Sequence, residues 1–258
     1  MKMTYIGGPT ALIEIAGLRI LTDPTFDPPG GEYQAAAYSL FKTQDPAITR
    51  ASVGHVDVVL LSHDHHFDNL DTSGRAMLSD VATVLTTQAG AERLGAPTRG
   101  LVPWQTHELA LPDGGTLRIT ATPARHGPVD GDRGPVIGFV LQRLEDPSSE
   151  TIYVSGDTVW YDGVAEVARR FPVTVAVLNM GAAHVAVAGP SHLTFTATEG
   201  VEFTRAFPTA IVVPLHYEGW AHFSESRREI DDAFRASGLD ARLRWLQPGA
   251  ATPIASLA

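Results

Sequence analysis

The chain contains no cysteine, and this absence removes whole classes of chemistry. Disulfides, thiolate metal ligands and cysteine nucleophiles are all excluded, so a metal site would have to use His, Asp, Glu and water. No apolar run approaches the roughly 20 residues that a membrane-spanning helix needs. Positive charge is scarce: 19 Lys and Arg stand against 29 Asp and Glu, a formal net charge of -10. That balance argues against long nucleic acids and anionic membranes as partners, since phosphates call for a basic face. A small-molecule substrate remains the expected partner, and homo-oligomerisation stays open. The opening residues Met1-Lys2-Met3-Thr4-Tyr5 meet Gly7, Gly8 and Pro9 at once and do not read as a signal peptide, so a cytoplasmic location is expected.

What the chain does have is a dense cluster of ligand-type side chains. His63-Asp64-His65-His66-Phe67-Asp68 places three histidines and two aspartates within six residues, directly after the apolar stretch Val56–Leu61. Imidazole and carboxylate together are the donor set for a zinc-like cation. Three further segments repeat this grammar of an apolar strand that ends in His or Asp. They are Ile119–His126, Ile152–Thr158 and Ile211–Tyr217, offering His126, Asp157 and His216. Strand ends gathered at one rim would bring these groups together. Each residue has a plainer reading: Asp68 as a helix cap, His126 as a loop residue, Asp157 in a turn, and His216 packed under Trp220. The ordered set of four weighs against them.

Alternating apolar segments predict strands at Met3–Ile6, Ala11–Ile15, Leu18–Leu21 and Val56–Leu61. More follow at Ala82–Leu85, Gly100–Pro103, Glu108–Leu111, Leu117–Ala121, Ile137–Leu141 and Ile152–Ser155. The second half alternates strands at Val173–Leu178, Ala210–Leu215 and Arg242–Leu246 with helices. Those helices include Thr196–Phe207, opened by a Thr196/Glu199 capping box, and Ser224–Ser237. Another is expected over Asp68–Leu78. Residues 24–55, rich in Pro, Gly and Ala, form a long connection of the kind that often serves as a lid. With no linker to cut at, residues 1–258 are expected to form one domain of two packed sheets covered by helices.

These pieces resemble the metallo-β-lactamase fold superfamily, whose motif is His-x-His-x-Asp-His followed by a lone His, a Gly-Asp and a final His after a strand. Thr22-Asp23-Pro24, Gly156-Asp157-Thr158 and Leu193–Glu199 make the branch of L-ascorbate-6-phosphate lactonases and related metal-dependent hydrolases the most similar. The resemblance covers residues 3–247. It implies an α+β fold, a four-layer αββα sandwich, with one or two divalent metal ions at one edge, Zn²⁺ first and Mn²⁺ or Fe²⁺ as alternatives. The expected activity is hydrolysis of a small ester, lactone or phosphodiester by metal-activated water. The alternative is a non-catalytic or redox/oxygenase protein of the same fold with an altered site.

The chain departs from the motif by one inserted residue. Either His63 and His65 pair with a late Asp68, or His63 and His66 pair with Asp68 in step, and the second register is preferred. His65 is then a spare ligand or an outer partner. In both registers Asn69 stands where an imidazole is expected. Carried over, the first metal position takes His63, His66 (or His65) and His126; the second takes Asp68 and His216, with Asp157 bridging. Asp68 is also expected to hold the proton of the attacking water. His184 is a candidate proton donor or substrate contact, His192 and His222 are weaker candidates, and Asp23 is a candidate orienter of a ligand histidine.

Overall fold

The computed structural model describes residues 1–34, 38–130, 132–146 and 148–255. Two large sheets carry the fold. In the first half lie β1 (Lys2–Gly7), β2 (Thr10–Ile15), β3 (Leu18–Thr22), a small hairpin of β4 (Glu32–Gln34) and β5 (Ser39–Phe41), β6 (Val58–Leu60), β7 (Thr83–Thr87) and β8 (Thr98–Leu101). The second half contributes β9 (Thr106–Ala110), β10 (Thr116–Pro123), β11 (Ile137–Arg143), β12 (Ile152–Val154), β13 (Val175–Asn179), β14 (Ile211–Leu215) and β15 (Thr252–Pro253). One sheet has the order β15-β1-β2-β3-β6-β7-β8 and the other β14-β13-β12-β11-β10-β9.

Alternation along the strands explains why two sheets stack. Ile13, Ile20, Val58 and Leu60 of the first sheet share a buried cluster with Ile119, Phe139, Val154, Val177 and Val213 of the second. The opposite faces are also apolar, and each is covered by helices. Leu12, Leu21, Val59 and Val84 meet residues around α1 (Arg50–Val53) and α2 (Thr72–Met77). Val140, Tyr153, Ala176 and Val212 meet α4 (Asp162–Arg170), α5 (Ala197–Ala206) and α6 (Arg227–Ala236). The layers therefore run helix, sheet, sheet, helix, as expected. A further helix, α3 (Gln88–Leu94), is absent from the predicted set and starts from a Thr87 cap whose hydroxyl accepts from Gly90 N–H at 3.0 Å.

Directions within the sheets decide where strand ends fall. β3, β6, β7 and β8 are mutually parallel. β10 is antiparallel to β11, which is antiparallel to β12, and β12, β13 and β14 are parallel. So β10, β12, β13 and β14 all point the same way. The loops after β6, β10, β12 and β14 open at a common edge, and Ile137 N–H donates to the Ser62 carbonyl (3.1 Å) across the two sheets there.

Local structure corrects several expectations. The Thr196/Glu199 capping box opens α5, and a second box at Ser226/Glu229 opens α6, three residues after the expected Ser224. Helix α2 begins at Thr72 rather than Asp68, because residues 66–71 form turns that aim side chains instead: Asn69 and Leu70 N–H both donate to the His66 carbonyl. Asp71, not Asp68, is the cap, accepting from Gly74 N–H at 2.8 Å. No strand forms over Arg242–Leu246; only Leu243 bridges to Val212, and β15 instead lines the edge beside β1. No helix among the described residues is long and apolar enough to cross a membrane.

Candidate metal centre

Each strand end at the open edge delivers one side chain to a shared centre. His63 follows β6, His126 follows β10, Asp157 follows β12 and His216 follows β14. All four are buried, His63, Asp157 and His216 completely. Backbone requirements are strict here. Gly156 has φ +58°, and a Cβ there would come 2.6 Å from the Ser62 Cβ and 2.8 Å from the Ile137 carbonyl. Only glycine lets β12 hand Asp157 into the space between the sheets. His216 (φ 55°) and Asp23 (φ 28°) also occupy left-handed conformations, and non-glycine residues strained in this way cluster at functional sites.

Two groups of donor atoms result. In the first, His63 Nε2 and His126 Nε2 each lie 3.0 Å from His66 Nδ1. Their far nitrogens fix the tautomers. His126 Nδ1 donates to the Leu193 carbonyl at 2.9 Å, which leaves Nε2 with a lone pair. Ser62 Oγ donates to Asp23 Oδ2 (2.9 Å) and so accepts from His63 Nδ1 (2.9 Å), which leaves His63 Nε2 with a lone pair too. Two lone pairs thus face one His66 nitrogen, which has at most one proton to share. A cation at their common focus resolves this conflict.

The second group joins Asp68 to His216 and His222. Asp68 Oδ2 lies 3.3 Å from His216 Nε2 and 3.0 Å from His222 Nε2. Asp157 stands between the groups, its Oδ2 3.6 Å from both His126 Nε2 and His216 Nε2. Asp157 Oδ2, His216 Nε2 and the Nδ1 atoms of His216 and His222 are buried with no hydrogen-bond partner among the described residues. Buried orphans of this kind are rare, and two of these, Asp157 Oδ2 and His216 Nε2, lie 3.6 Å apart. Three clusters of metal-competent atoms, His63/His65/His66, His63/His126/Asp157 and Asp68/His216/His222, each span no more than 4.8 Å.

Charge states suit a cation. Burial pushes His63 well below its ordinary pKa and His66 down to about 3, so both rings are neutral donors. Burial opposes ionisation of Asp68 and Asp157, but the neighbouring histidines override it and hold both carboxyls well below the usual range. Burial likewise opposes a charge on His216, and Asp157 and Asp68 overcome it, raising its pKa to about 10. One proton therefore occupies the second group until a stronger positive charge displaces it.

The inserted residue is now placed. His66 turns its Nδ1 into the first group. The His65 ring turns aside, its Nε2 donating to the Arg133 carbonyl at 2.9 Å while its Nδ1 stays buried and unpartnered. Asn69 donates instead of ligating, to Asp157 Oδ1 (3.3 Å) and Asp23 Oδ2 (3.4 Å), and Asn179 adds a 2.7 Å bond to Asp157 Oδ1. The expected imidazole comes from His222, six residues beyond His216 on the far side of a Gly219-Trp220 turn. Two histidines in one post-strand loop were the available signal. Asp23 acts on His63 through Ser62, accepting from Ser62 N–H at 2.6 Å; burial lifts its pKa to about 7. His184 lies outside these clusters, with its ring bonded to the Gly189 carbonyl (2.6 Å) and its N–H to the His222 carbonyl (2.8 Å).

The long connection at 24–55 leans over this edge. Tyr33 lies 5.2 Å from both Phe67 and Trp220, and Tyr38 sits edge-on to His66 at 6.4 Å. Lys42 anchors the segment through a buried 3.0 Å ion pair with Asp71. Residues 35–37 of the segment lie outside the described residues.

Comparison with known proteins agrees with this architecture. The profile of a family described as the beta-lactamase superfamily domain matches residues 18–217. A UPF0173 metal-dependent hydrolase from Pyrobaculum neutrophilum is 28% identical over 218 residues, covering 84% of each chain. UPF0173 protein YddR from Bacillus subtilis is 24% identical, covering 94% of this chain and 96% of its own. Among solved structures, an isothiocyanate hydrolase from Delia radicum gut bacteria superposes with TM-score 0.83 at 24% identity over the whole of both chains. A possible metal-dependent hydrolase from Veillonella parvula gives 0.82 at 17% identity, covering 98% and 99%. At such identities the structural likeness establishes the metallo-β-lactamase fold.

Proposed function

Since the chain belongs to the beta-lactamase superfamily, we propose that it is a metal-dependent hydrolase acting on a small ester, lactone or phosphodiester. One observation carries the reading: lone pairs of His63 and His126 meet at His66 while Asp157 links them to Asp68, His216 and His222. The first group would hold one divalent cation and the second another, Zn²⁺ being the best match to an imidazole-rich, thiol-free set. When bound, such ions polarise the scissile group and lower the pKa of water toward ~7.

The chain's own residues supply position and proton control. Ser62 and the Leu193 carbonyl set the ring orientations of His63 and His126. Asn69 and Asn179 aim Asp157. Asp68, ionised at neutral pH, is the carboxylate able to take the attacking water's proton. Burial of the donors keeps bulk water from competing for them. His184 is retained as a candidate proton donor, reached only if its ring leaves the Gly189 carbonyl.

The test combines metal analysis of the purified protein with turnover of nitrophenyl esters, a bis(nitrophenyl) phosphate and simple lactones. About two equivalents of metal and turnover lost in His63→Ala and Asp157→Ala, by roughly 10³-fold or more, are the expected results. A protein that retains no metal, or variants that keep full rate, would sink the reading.

A further inference from the structure

Arg133 is fastened to the candidate centre at both of its backbone groups. Its N–H donates to the His126 carbonyl (3.0 Å) and its carbonyl accepts from His65 Nε2 (2.9 Å). The next residue is equally confined, because a Cβ on Gly134 would come 3.0 Å from His65 Nε2. The residue's backbone is therefore held between two histidine-bearing segments. Yet its guanidinium makes no hydrogen bond or ion pair among the described residues, and its Nε is buried without a partner.

Tyr38 reaches the same place from the long connection at 24–55. Its ring packs edge-on to His66 at 6.4 Å, on the side where His66 and His65 remain partly exposed. Burial and the Asp68 carboxylate raise its pKa to about 12, while the Arg133 charge pulls the other way. The hydroxyl lies within electrostatic reach of both Arg133 and Asp68. It makes no hydrogen bond among the described residues.

A buried guanidinium Nε without a partner among the described residues is costly unless something fills it. A planar fork of donors matches a carboxylate or phosphate oxygen pair. We propose that Arg133, with Tyr38 against the neighbouring His66, binds an oxyanion group of the substrate, a carboxylate or a phosphate, at the mouth of the cation cluster. The proposal rests on the hydrolase reading and narrows its substrates to anionic ones.

Two esters of matched shape test it: nitrophenyl hydrogen succinate, and nitrophenyl isohexanoate, which replaces the carboxylate by an isopropyl group. In Arg133→Gln the ratio of their kcat/KM values should fall about 10–100-fold against the charged ester. Arg133→Lys should recover part of it as a charge without the fork, and Tyr38→Phe should lower the ratio about threefold to tenfold. Calorimetric titration of the purified, metal-bearing protein with succinate and with inorganic phosphate gives a second readout. The anion whose affinity drops about tenfold or more in Arg133→Gln names the group recognised. If the wild type hydrolyses neither ester, ester substrates drop out of the hydrolase reading, and the titration alone decides the role of Arg133. Equal affinity of wild type and Arg133→Gln for both anions, with an unchanged ester ratio, would overturn it.

Discussion

The two halves of the candidate centre are built from similar residues but prepared in opposite ways. In the first half, burial holds His63 and His66 neutral, and outer groups, Ser62 and the Leu193 carbonyl, orient His63 and His126. In the second half His216 and His222 crowd around Asp68, and His216 keeps a proton up to about pH 10. Its Nδ1 and that of His222 have no partner to fix their tautomers. The first half is a ready cavity for a cation; the second is a self-neutralised cluster that must give up a proton to accept one. Asp157 belongs to both and couples them.

The sharpest way to break this contrast is to remove one histidine from each half. His66→Ala should cost one metal equivalent and roughly 10³-fold or more in turnover, whereas His65→Ala should cost about tenfold. Metal content and initial rates of the two variants separate the registers, and reversed outcomes would hand the ligand role to His65. In the other half, His222→Ala should lose the second equivalent and about 10²-fold in rate while the first stays bound.

A smaller effect is expected at the groups that only aim others. Asn69→Ala removes a donor to Asp157, and metal affinity should weaken about 10–100-fold with the fold intact. Chelator competition measures this, and an unchanged affinity would reduce Asn69 to a filler.

The mildest prediction concerns pH. In the metal-free protein His216 has a raised pKa, so its proton is present below about 10 and is lost above it. Binding a cation there releases that proton, so apparent affinity of the second half should rise with pH, by up to about tenfold per unit between about pH 6 and 9. His66, lowered to about 3, imposes no such dependence on the first half over this range. Two binding steps with equal pH slopes would erase the distinction.

Much of the site was legible before any coordinates because ligand chemistry is a matter of residue type. His63, His126, Asp157 and His216 each follow an apolar stretch, and parallel strands deliver their ends to one edge. What escaped was local geometry. The expected helix at Asp68 starts only at Thr72, since the turn between them spends its backbone on placing His66, Asp68 and Asn69. His222 looked weak because no apolar strand precedes it; a loop, closed by the Ala183–Phe223 bridge, brings it back. At Arg242–Leu246 the chain meets the edge strand β14 only through the Leu243–Val212 bridge and the Arg244 N–H to Val212 carbonyl bond, too short a pairing to make the expected strand.

Composition and order alone determined that any metal would be held by nitrogen and oxygen, that the donors stand at strand ends, and that two sheets would sandwich between helices. Those properties depend on side-chain type and on alternation, which are written residue by residue. Tertiary structure alone decided that His66 rather than His65 faces the first group, that Asn69 donates to Asp157 while His222 joins His216 at Asp68, and that the Arg133 guanidinium has no partner among the described residues. Each of these depends on contacts between segments distant along the chain, whose approach to within about 3 Å is set by how the sheets pack.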